Sequence, residues 1–405
     1  MLKAKTMKRA YMDHNATTPL RPEARAAVLR ALDVLGNPSS IHAEGRAARA
    51  LVEDARADVA ALAGARTAEV IFTSGGTEAA RLAFHSARVA QGVERLIVSA
   101  VEHDAVLASA EGAGLPVEIV PVDGNGRLDL TALKALLAGS EKRSLVALML
   151  ANNETGVLQP VAEAARLAHE IGASLLCDAV QAVGKVPVDF DLLGADMLML
   201  GGHKIGAPLG VGALVVRNGL PFAPLAVGGG QEMRRRAGSE NVSGIAGFGA
   251  AARAALAGLE EFARLTALRD RIEARIADMA PDAVFFGRDA ERLPNTSYLS
   301  APGLDAETLL MALDLDGVAV SAGAACSSGK IGRPRVLEAM GVEWDIARGA
   351  IRVSLGWSSE PEDVDRFVES WLRVYARLRG KTPATVSMNV TAGRRETPRL
   401  AALES

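Results

Sequence analysis

Short apolar runs alternate with longer segments of helical spacing through the first half of the chain. The apolar runs are bounded by Gly, Asp or other polar turn residues and lie at Val70–Thr73, Leu96–Ser99, Val117–Val120, Leu145–Leu150, Ser174–Asp178 and Met197–Leu200. Segments with a helical pattern lie between them, for instance Thr77–Gln91, Leu130–Leu137 and Val161–Ile171. Strands that alternate with helices are typical of a mainly parallel sheet with helices on both faces. The first half is therefore predicted to be an α/β domain.

The pattern changes after about Asn241, where a long helical region runs to Met279. Mixed strands and helices follow at Thr296–Leu299, Ala306–Leu313, Val318–Ser321, Ile351–Ser354 and, as a final helix, from about Pro361 to Arg379. This mixture is typical of a smaller α+β domain. From Gly380 the sequence is polar and aperiodic, which indicates a disordered tail. We predict a large domain over 15–255, a small domain from 1–14 and 256–379, and the tail over 380–405.

The composition narrows the class of protein. A chain of 405 residues is long enough for two domains with a large core. Hydrophobic residues make up 49% of it but aromatic residues only 4%, so the core is expected to consist of Ala, Val and Leu. The net charge is −3 and there is no long basic run, so nucleic acid and anionic membrane surfaces are not expected partners. No apolar stretch approaches the length of a membrane span.

The sequence also bears on the compartment in which the protein works. Met1–Arg9 is basic but is not followed by an apolar segment, so it lacks the pattern of a signal peptide. The two cysteines, Cys177 and Cys326, are far apart, which gives no disulfide framework and suits a reducing compartment. We therefore expect a soluble, cytoplasmic protein.

Small and polar residues follow several of the predicted strands at their carboxyl ends, where open α/β sheets bind ligands. The first such segment is Thr73–Glu78, which comes directly after a strand and opens a helix. Its backbone N–H groups and the Thr77 hydroxyl suit a phosphate held at the positive end of the helix. Ser, Thr and Gly also begin many ordinary helices, so a plain helix start is the alternative.

Two further strand ends carry groups that suit a pyridoxal ring. Asp178, at the end of its apolar strand, can pair with a pyridinium nitrogen and keep it protonated, which makes the ring an electron sink. Gln181, three residues on, can reach the phenolic oxygen of the same ligand. Lys204 follows Gly201–His203 at the next strand end, where its amine can form a Schiff base with an aldehyde. The alternatives are an aspartate that caps a turn and a solvated surface lysine.

Cys326 lies in the run Ser321–Gly329, which consists almost entirely of very small residues. Such neighbours cannot bury a thiol in a packed core and leave it mobile and reachable, as a sulfur nucleophile needs to be. An incidental cysteine on a surface loop is the alternative. The other cysteine, Cys177, lies within an apolar strand and indicates an inert core thiol.

Taken together, these motifs resemble the cysteine desulfurases of the NifS/IscS type, from about Tyr11 to Arg379. The matching segments occur in the same order and are Tyr11–Thr18, Gly36–His42, Val101–Asp104, Ala151–Gly156, Cys177–Gln181, Gly201–Lys204, Arg236–Asn241 and the Cys326 loop. The resemblance implies an enzyme that depends on pyridoxal phosphate (PLP) and has the type I fold of the aspartate aminotransferase superfamily. It also implies a homodimer that takes sulfur from L-cysteine and leaves L-alanine.

The resemblance assigns roles around the cofactor ring. Lys204 would hold PLP as a Schiff base and then remove the proton from the substrate Cα. His103 would stack on the ring and assist proton transfers, for which an imidazole is suited near neutrality. Asp178 would pair with the ring nitrogen, and Gln181 and Asn153 would contact the cofactor oxygens and the substrate. A structural histidine is the alternative for His103.

The resemblance also implies which residues bind the phosphate of the cofactor and the carboxylate of the substrate. The phosphate would be held by Gly76, Thr77, His203 and, across a dimer interface, Ser239. Arg352 would grip the substrate carboxylate through two parallel hydrogen bonds, with a structural salt bridge as the alternative. Members of the family usually carry a hydroxyl residue at the position of Gly201, so one phosphate contact is in doubt here. Ser239, where threonine is common, preserves the hydroxyl.

For sulfur, the resemblance implies that the Cys326 thiolate attacks the substrate sulfur and becomes a persulfide. The persulfide would pass to a scaffold or sulfur-acceptor protein, for iron–sulfur cluster assembly or another pathway that the sequence does not identify. No metal is required, apart from a transient contact of Cys326 with a nascent iron–sulfur cluster. A selenocysteine lyase, another class V PLP enzyme and a non-catalytic scaffold of the same fold are the alternatives. The presence of Lys204, Asp178, His103 and Cys326 together argues against the scaffold.

Overall fold

The structure is a computed structural model, and it describes residues 9–323 and 334–378. The strands β1 to β13 are, in chain order, Ala10–Tyr11, Val70–Thr73, Arg95–Ser99, Val117–Val120, Ser144–Met149, Ser174–Asp178, Met197–Gly201, Gly212–Val216, Val284–Phe285, Thr296–Ser300, Val318–Ala319, Ser321–Ala322 and Ile351–Ser354. The helices α1 to α14 are Pro22–Leu32, Ala43–Ala63, Gly76–Ala90, Asp104–Glu111, Leu130–Ala138, Val161–His169, Phe190–Leu193, Val242–Ala257, Leu259–Ala263, Leu265–Met279, Ala306–Leu315, Arg335–Ala339, Trp344–Ala347 and Pro361–Leu378. Single 3-10 turns lie at Thr67–Glu69, Gly202–Lys204 and Gln231–Arg234.

A seven-stranded sheet in the order β2-β8-β7-β6-β5-β3-β4 forms the centre of the large part of the molecule. The pairs β7-β6, β6-β5, β5-β3 and β3-β4 are parallel, and β8 is antiparallel to both of its neighbours. Alternate residues of β5 enter different cores: Leu145 and Ala147 pack in one, Val146 and Leu148 in the other. Both faces of the sheet are therefore covered, which confirms the predicted mainly parallel α/β architecture. The apolar run Gly212–Val216, which was not among the predicted strands, forms β8.

A second core lies around a four-stranded antiparallel sheet in the order β12-β13-β10-β9. Trp371 and Phe367 of the final helix are fully buried in it. The N-terminal strand pairs in parallel with β11. Its residue Ala10 and the following Met12 pack into the same core. The chain thus has separate cores for its large sheet and its small sheet, while the domain boundaries given above stay predictions.

The long helical region after Asn241 is divided into α8, α9 and α10. Gly258 ends α8 and begins α9, and the backbone there departs from helical angles with φ −95° and ψ 9°. Within residues 9–323 and 334–378, no single helix is long and apolar enough to cross a membrane. Val242–Ala257 and Leu259–Met279, bent by 66°, reach that length and composition only as a pair.

Candidate active site

A cavity of about 230 Å³ opens at the edge of the large sheet where β2, β3, β5, β6 and β7 end. β2 and β7 are both antiparallel to β8, so β2 runs in the same direction as the parallel strands. All these strands therefore deliver the residues that follow them to one edge. Residues predicted for the site line this cavity together: Gly76, Thr77, His103, Asn153, Asp178, Gln181, Gly201, His203 and Lys204.

One end of the cavity is formed by the N-terminus of α3, a helix of 15 residues. Its N-cap is Gly75, which has no side-chain oxygen to accept hydrogen bonds from the first turn. Gly75 has φ +154°, a conformation that residues with a Cβ rarely adopt, and a Cβ there would meet no atom within 4 Å. The turn is thus open, and the N–H groups of Gly76 and Thr77 stand at the positive end of the helix. This arrangement suits an anion such as a phosphate.

The turn before α3 is fastened to residues 232–236, which contact the edge strand β2 and the first turn of α3. Glu232 accepts two hydrogen bonds from Arg56, at 2.6 and 3.0 Å, and both side chains are only 2% exposed. Its Oε2 also accepts from the backbone N–H of Phe72 in β2 at 3.0 Å. Further along, Arg236 donates to Glu78 in the first turn of α3 at 2.9 Å. Segment 232–236 is therefore held to both sides of the anion-binding turn.

The same segment carries backbone strain. Glu232, Met233 and Arg234 have φ of 48°, 54° and 65°, in the left-handed region that non-glycine residues rarely adopt. Each such residue costs about 1–2 kcal/mol. The buried Arg56–Glu232 pair offsets this cost by fixing the first of the three residues to the core. The stability of the segment is therefore expected to depend on that ion pair.

Glu232→Gln is expected to lower the free energy of unfolding of the apo-protein by about 3 kcal/mol, because Arg56 would lose its buried carboxylate partner and keep only Glu53, which is 42% exposed and 3.2 Å away. Chemical denaturation followed by fluorescence measures the change. Glu170→Gln is the matched control, since Arg166 and Glu170 form an exposed pair at the C-terminal end of α6 and exposed pairs contribute at most about 1 kcal/mol. Equal effects of the two substitutions would contradict this assignment.

Asp178 and His103 form another wall of the cavity. Asp178 accepts from the backbone N–H of Val180 at 2.9 Å, and burial raises the pKa of its carboxyl. His103 is the N-cap of α4, where its Nδ1 accepts from the N–H of Ala105 at 3.0 Å. Burial lowers the pKa of His103, so the neutral ring carries its proton on Nε2. A cation at Asp178 would favour the ionised carboxylate.

Lys204 reaches the cavity from the turn after β7. Its Nζ donates to the backbone carbonyls of Asn15 at 2.6 Å and Ala16 at 2.9 Å. His203 lies beside Thr17, with Nδ1 3.3 Å from the Thr17 hydroxyl. Burial, and then the charge of Lys204, lowers the pKa of His203 to about 4. Residues 15–17 of the N-terminal segment thus contact both side chains, which the sequence did not indicate.

Arg352 lies on β13, outside the residues that line the cavity. Its Nη2 donates to Asp13 at 2.8 Å and its Nη1 to the carbonyl of Asn153 at 3.1 Å. The side chain is buried, and its Nε has no hydrogen-bond partner among the described residues. The ion pair named above as the alternative for Arg352 is therefore present. The contact with Asn153 nevertheless places the guanidinium behind the cavity wall, with one buried N–H that lacks an acceptor.

Ser239 is not among the residues that line the cavity. Ser239 is exposed on the segment that follows Arg236. Cys326 lies outside the described residues, but both described ends of its segment can be located. Gly323 lies against the Tyr298 hydroxyl and the Glu154 carboxylate, where a Cβ would collide with both.

The other described end of the Cys326 segment is anchored beside His103. Arg335 donates to the backbone carbonyl of Glu102 at 2.6 Å and pairs with Asp104 at 2.8 Å. Glu102 and Asp104 flank His103 in the sequence, and His103 lines the cavity. The segment that carries Cys326 therefore returns to the described chain close to the cavity wall.

Comparison with known proteins identifies the family to which this site belongs. The profile of the aminotransferase class-V family matches residues 10–367. The chain belongs to the class-V aminotransferase family. A cysteine desulfurase from Cereibacter sphaeroides is 46% identical over 384 residues, which cover 93% of this chain and 98% of that protein. An IscS-like cysteine desulfurase from Mycobacterium tuberculosis is 41% identical, with 91% of this chain and 97% of that protein covered.

Solved structures of NifS-like and related proteins resemble this class-V family member. A NifS-like protein from Rickettsia africae superposes with a TM-score of 0.83 at 32% identity, over 92% of this chain and 99% of that one. SspA, solved in complex with cysteine, superposes with a TM-score of 0.74 at 27% identity, over 85% of this chain and 98% of that one. The predicted resemblance to cysteine desulfurases and the predicted type I fold are confirmed.

The cofactor of this family is PLP, as the resemblance implied. The cavity fits it by the chemistry of its groups. The open N-terminus of α3 suits the phosphate, the buried carboxylate of Asp178 suits the ring nitrogen, and the amine of Lys204 suits the aldehyde. The individual roles of these residues stay predictions.

Proposed function

We propose that this class-V aminotransferase is a cysteine desulfurase that moves sulfur from L-cysteine to Cys326 and releases L-alanine. The observation that carries the proposal is the convergence of Lys204, Asp178 and His103 on one cavity with an anion-binding helix terminus. Lys204 matches the aldehyde of PLP, Asp178 matches the ring nitrogen, and the helix terminus matches the phosphate, while His103 lies where it can stack on the ring. The relatives named above support the reaction.

When bound, PLP supplies the electron sink that stabilises negative charge at the substrate Cα. Asp178 would hold the proton of the ring nitrogen, because the N–H of Val180 and the positive charge of the protonated ring favour its ionised carboxylate against the effect of burial. Lys204 takes the proton from Cα and returns it to the substrate. Neutral His103 presents a ring to stack on the cofactor and an Nε2–H to assist those proton movements.

The substrate carboxylate is proposed to bind at Arg352 and Asn153. The carbonyl of Asn153 already accepts a hydrogen bond from Arg352, so the two residues lie side by side and can contact the same carboxylate. The buried Nε of Arg352, which lacks an acceptor within the described chain, suits a carboxylate oxygen. The charge of Arg352 is partly balanced by Asp13, which keeps the guanidinium in place before substrate arrives.

Cys326 is proposed to accept the sulfur. Its thiolate attacks the substrate sulfur, a sulfur–sulfur bond forms and the bond from that sulfur to Cβ breaks. The electron pair of the broken bond stays with the carbon fragment, Cβ gains a proton, and alanine leaves, so no external oxidant is needed. Anchoring of the segment beside His103 supports access of Cys326 to the cavity. A scaffold or acceptor protein in the cytoplasm is proposed to receive the persulfide.

The function is tested by the absorbance spectrum of the purified protein and an alanine assay with L-cysteine. We expect a yellow protein that forms alanine and, with a reductant present, sulfide in equal amounts. A colourless protein that takes up no PLP, or a yellow one that makes no alanine from L-cysteine, would refute the proposal.

We also propose that the enzyme is a homodimer with shared active sites. Ser239 is exposed, lies outside the cavity of its own chain, and follows a segment fastened to the anion-binding turn. A second copy is therefore proposed to receive the Ser239 hydroxyl at its phosphate. Sedimentation at assay concentrations should find an active dimer, and dilution to the monomer should release PLP. A fully active monomer would rule out the shared site.

The effect on PLP affinity of placing a hydroxyl at position 201 depends on the neighbouring side chain of Val180. Gly201 has φ −123°, which any residue adopts, but a Cβ there would lie 3.1 Å from Cγ1 of Val180. Gly201→Ser alone is expected to tighten PLP binding only modestly, because Val180 must shift. With Val180→Ala in addition, the new hydrogen bond should tighten binding by about ten- to a hundredfold. Titration of apo-protein with PLP measures this, and binding no tighter than that of Val180→Ala alone would show that position 201 does not face the phosphate.

A further inference from the structure

Lys185 is a buried lysine to which the proposed reaction assigns no task. It is 5% exposed, and its Nζ donates to Oε1 of Gln181 at 2.6 Å and to Oδ1 of Asn15 at 2.7 Å. Neither of these acceptors is a carboxylate. Burial, and then the charges of Lys204 and Arg352, lowers the pKa of Lys185 well below its usual value. A neutral amine has two N–H bonds, which matches the two acceptors.

The contact with Lys185 determines which way the amide of Gln181 points. An amide side chain has an oxygen end and a nitrogen end of nearly the same shape, so only its partners fix the orientation. Lys185 donates to Oε1, and Nε2 donates to the backbone carbonyl of Asn15 at 2.9 Å. The second N–H of Nε2 is then available on the side of Gln181 that lines the cavity.

Asn15 is held just as firmly, so it cannot simply follow a rotated Gln181. Its Oδ1 also accepts from Asn295 at 3.1 Å, and its Nδ2 donates to Thr296 at 2.9 Å. Its backbone carbonyl accepts from Lys204 as well as from Gln181. A reversed Gln181 amide would place its oxygen against the Asn15 carbonyl and its nitrogen against the amine of Lys185. The first contact would be repulsive, and the second would replace the hydrogen bond that Lys185 donates to Oε1, so both neighbours favour the observed orientation.

We propose that Lys185 is a positioning residue that fixes the Gln181 amide with its nitrogen toward the cavity, so that it donates to the phenolic oxygen of PLP. The inference rests on the proposed function only in placing PLP in this cavity. Lys185 touches neither cofactor nor substrate and acts through Gln181. Without Lys185 only the Asn15 carbonyl favours this orientation, so the reversed amide, with its oxygen toward the phenolic oxygen, becomes more populated.

A double-mutant cycle on the PLP-loaded enzyme tests the proposal. The readout is the pH midpoint of the visible absorbance change of the bound cofactor, which a donor at the phenolic oxygen lowers by favouring the deprotonated form. Gln181→Leu removes the donor and Lys185→Met removes the positioning amine while keeping side-chain length. We expect Gln181→Leu to raise the midpoint by about one pH unit and Lys185→Met to raise it by a smaller amount, since the Asn15 carbonyl still holds the amide. The double variant should show no further rise, because both act on one hydrogen bond.

The outcomes separate this inference from its rivals. An unchanged midpoint in Lys185→Met beside a raised midpoint in Gln181→Leu would overturn the inference. Shifts that add in the double variant would also overturn it, because Lys185 would then act independently of Gln181. No shift in either single variant would also overturn it, while alanine production by the wild type would leave the proposed function intact. Thermal unfolding of the apo-proteins shows which variants fold. Lys185→Leu replaces Lys185→Met in the cycle if the latter does not.

Discussion

Lys204→Ala is expected to lose its covalently held PLP and to make alanine from L-cysteine at least about 10²–10⁴-fold more slowly than the wild type, the usual contribution of a positioned acid–base group. Lys204 lies in the turn after β7 and lines the cavity together with Asp178 and His203, and its Nζ is held by the carbonyls of Asn15 and Ala16. Lys185, which shares Asn15 with Lys204, donates to Gln181 and Asn15 and is not among the residues that line the cavity. The loss should therefore not be recovered by added PLP.

Borohydride reduction of the wild type, followed by peptide mapping, locates the attachment directly. The cofactor should be found on the peptide that contains Lys204. Lys134→Ala is the matched control, because Lys134 is exposed on α5 and outside the cavity, and it should keep both colour and activity. A label on any other lysine would contradict the assignment of Lys204.

The sequence was sufficient for those parts of the site that follow from strand direction. Thr77, Asp178 and Lys204 each follow an apolar run, and runs that form parallel strands place such residues at one edge. The six predicted strands are present in the large sheet, with bounds that differ from the prediction by at most one residue. The cavity is therefore a consequence of chain order and hydrophobic pattern.

The parts that could not be predicted depend on contacts between distant residues. Lys185 and Asn15 are 170 positions apart, and Arg56 and Glu232 are 176 apart. No local pattern indicates which buried polar groups meet across such distances, because each side chain is ordinary in its own segment. The left-handed backbone at Glu232–Arg234 is likewise invisible in the sequence, since it contains no glycine and is stabilised by an ion pair to another helix. The pairing of Arg352 with Asp13 belongs to the same class.

These distant contacts meet around the N-terminal segment. Asn15 connects Lys185, Gln181 and Lys204 of the large sheet with Asn295 beside the small sheet. The segment was recognised only as part of a motif, with no role for Asn15. Its contacts indicate that residues 13–17 order the site by fixing the hydrogen-bond directions of Gln181, Lys204 and Arg352.

Cys326→Ser is expected to keep PLP and to bind L-cysteine but to form essentially no alanine. The residues proposed for the earlier steps, Lys204, Asp178 and Arg352, are unchanged, so the absorbance should still respond to L-cysteine. A serine hydroxyl cannot supply the thiolate that attacks the substrate sulfur, and an ordinary thiol, with a pKa of about 8.5, is far more readily ionised. The variant should therefore separate substrate binding from sulfur removal.

The chain contains its own control for this experiment, because Cys177 is its other cysteine. Cys177 is fully buried in the sheet, and burial raises the pKa of its thiol well above the usual value, so it is not a candidate nucleophile. Cys177→Ala should retain alanine production, and mass spectrometry after incubation with L-cysteine should find the extra sulfur on Cys326 in that variant and in the wild type. Alanine production close to that of the wild type by Cys326→Ser, or persulfide on Cys177, would remove Cys326 from the reaction. Retained activity in Cys177→Ala with none in Cys326→Ser would instead assign sulfur acceptance to the one cysteine whose segment returns beside His103.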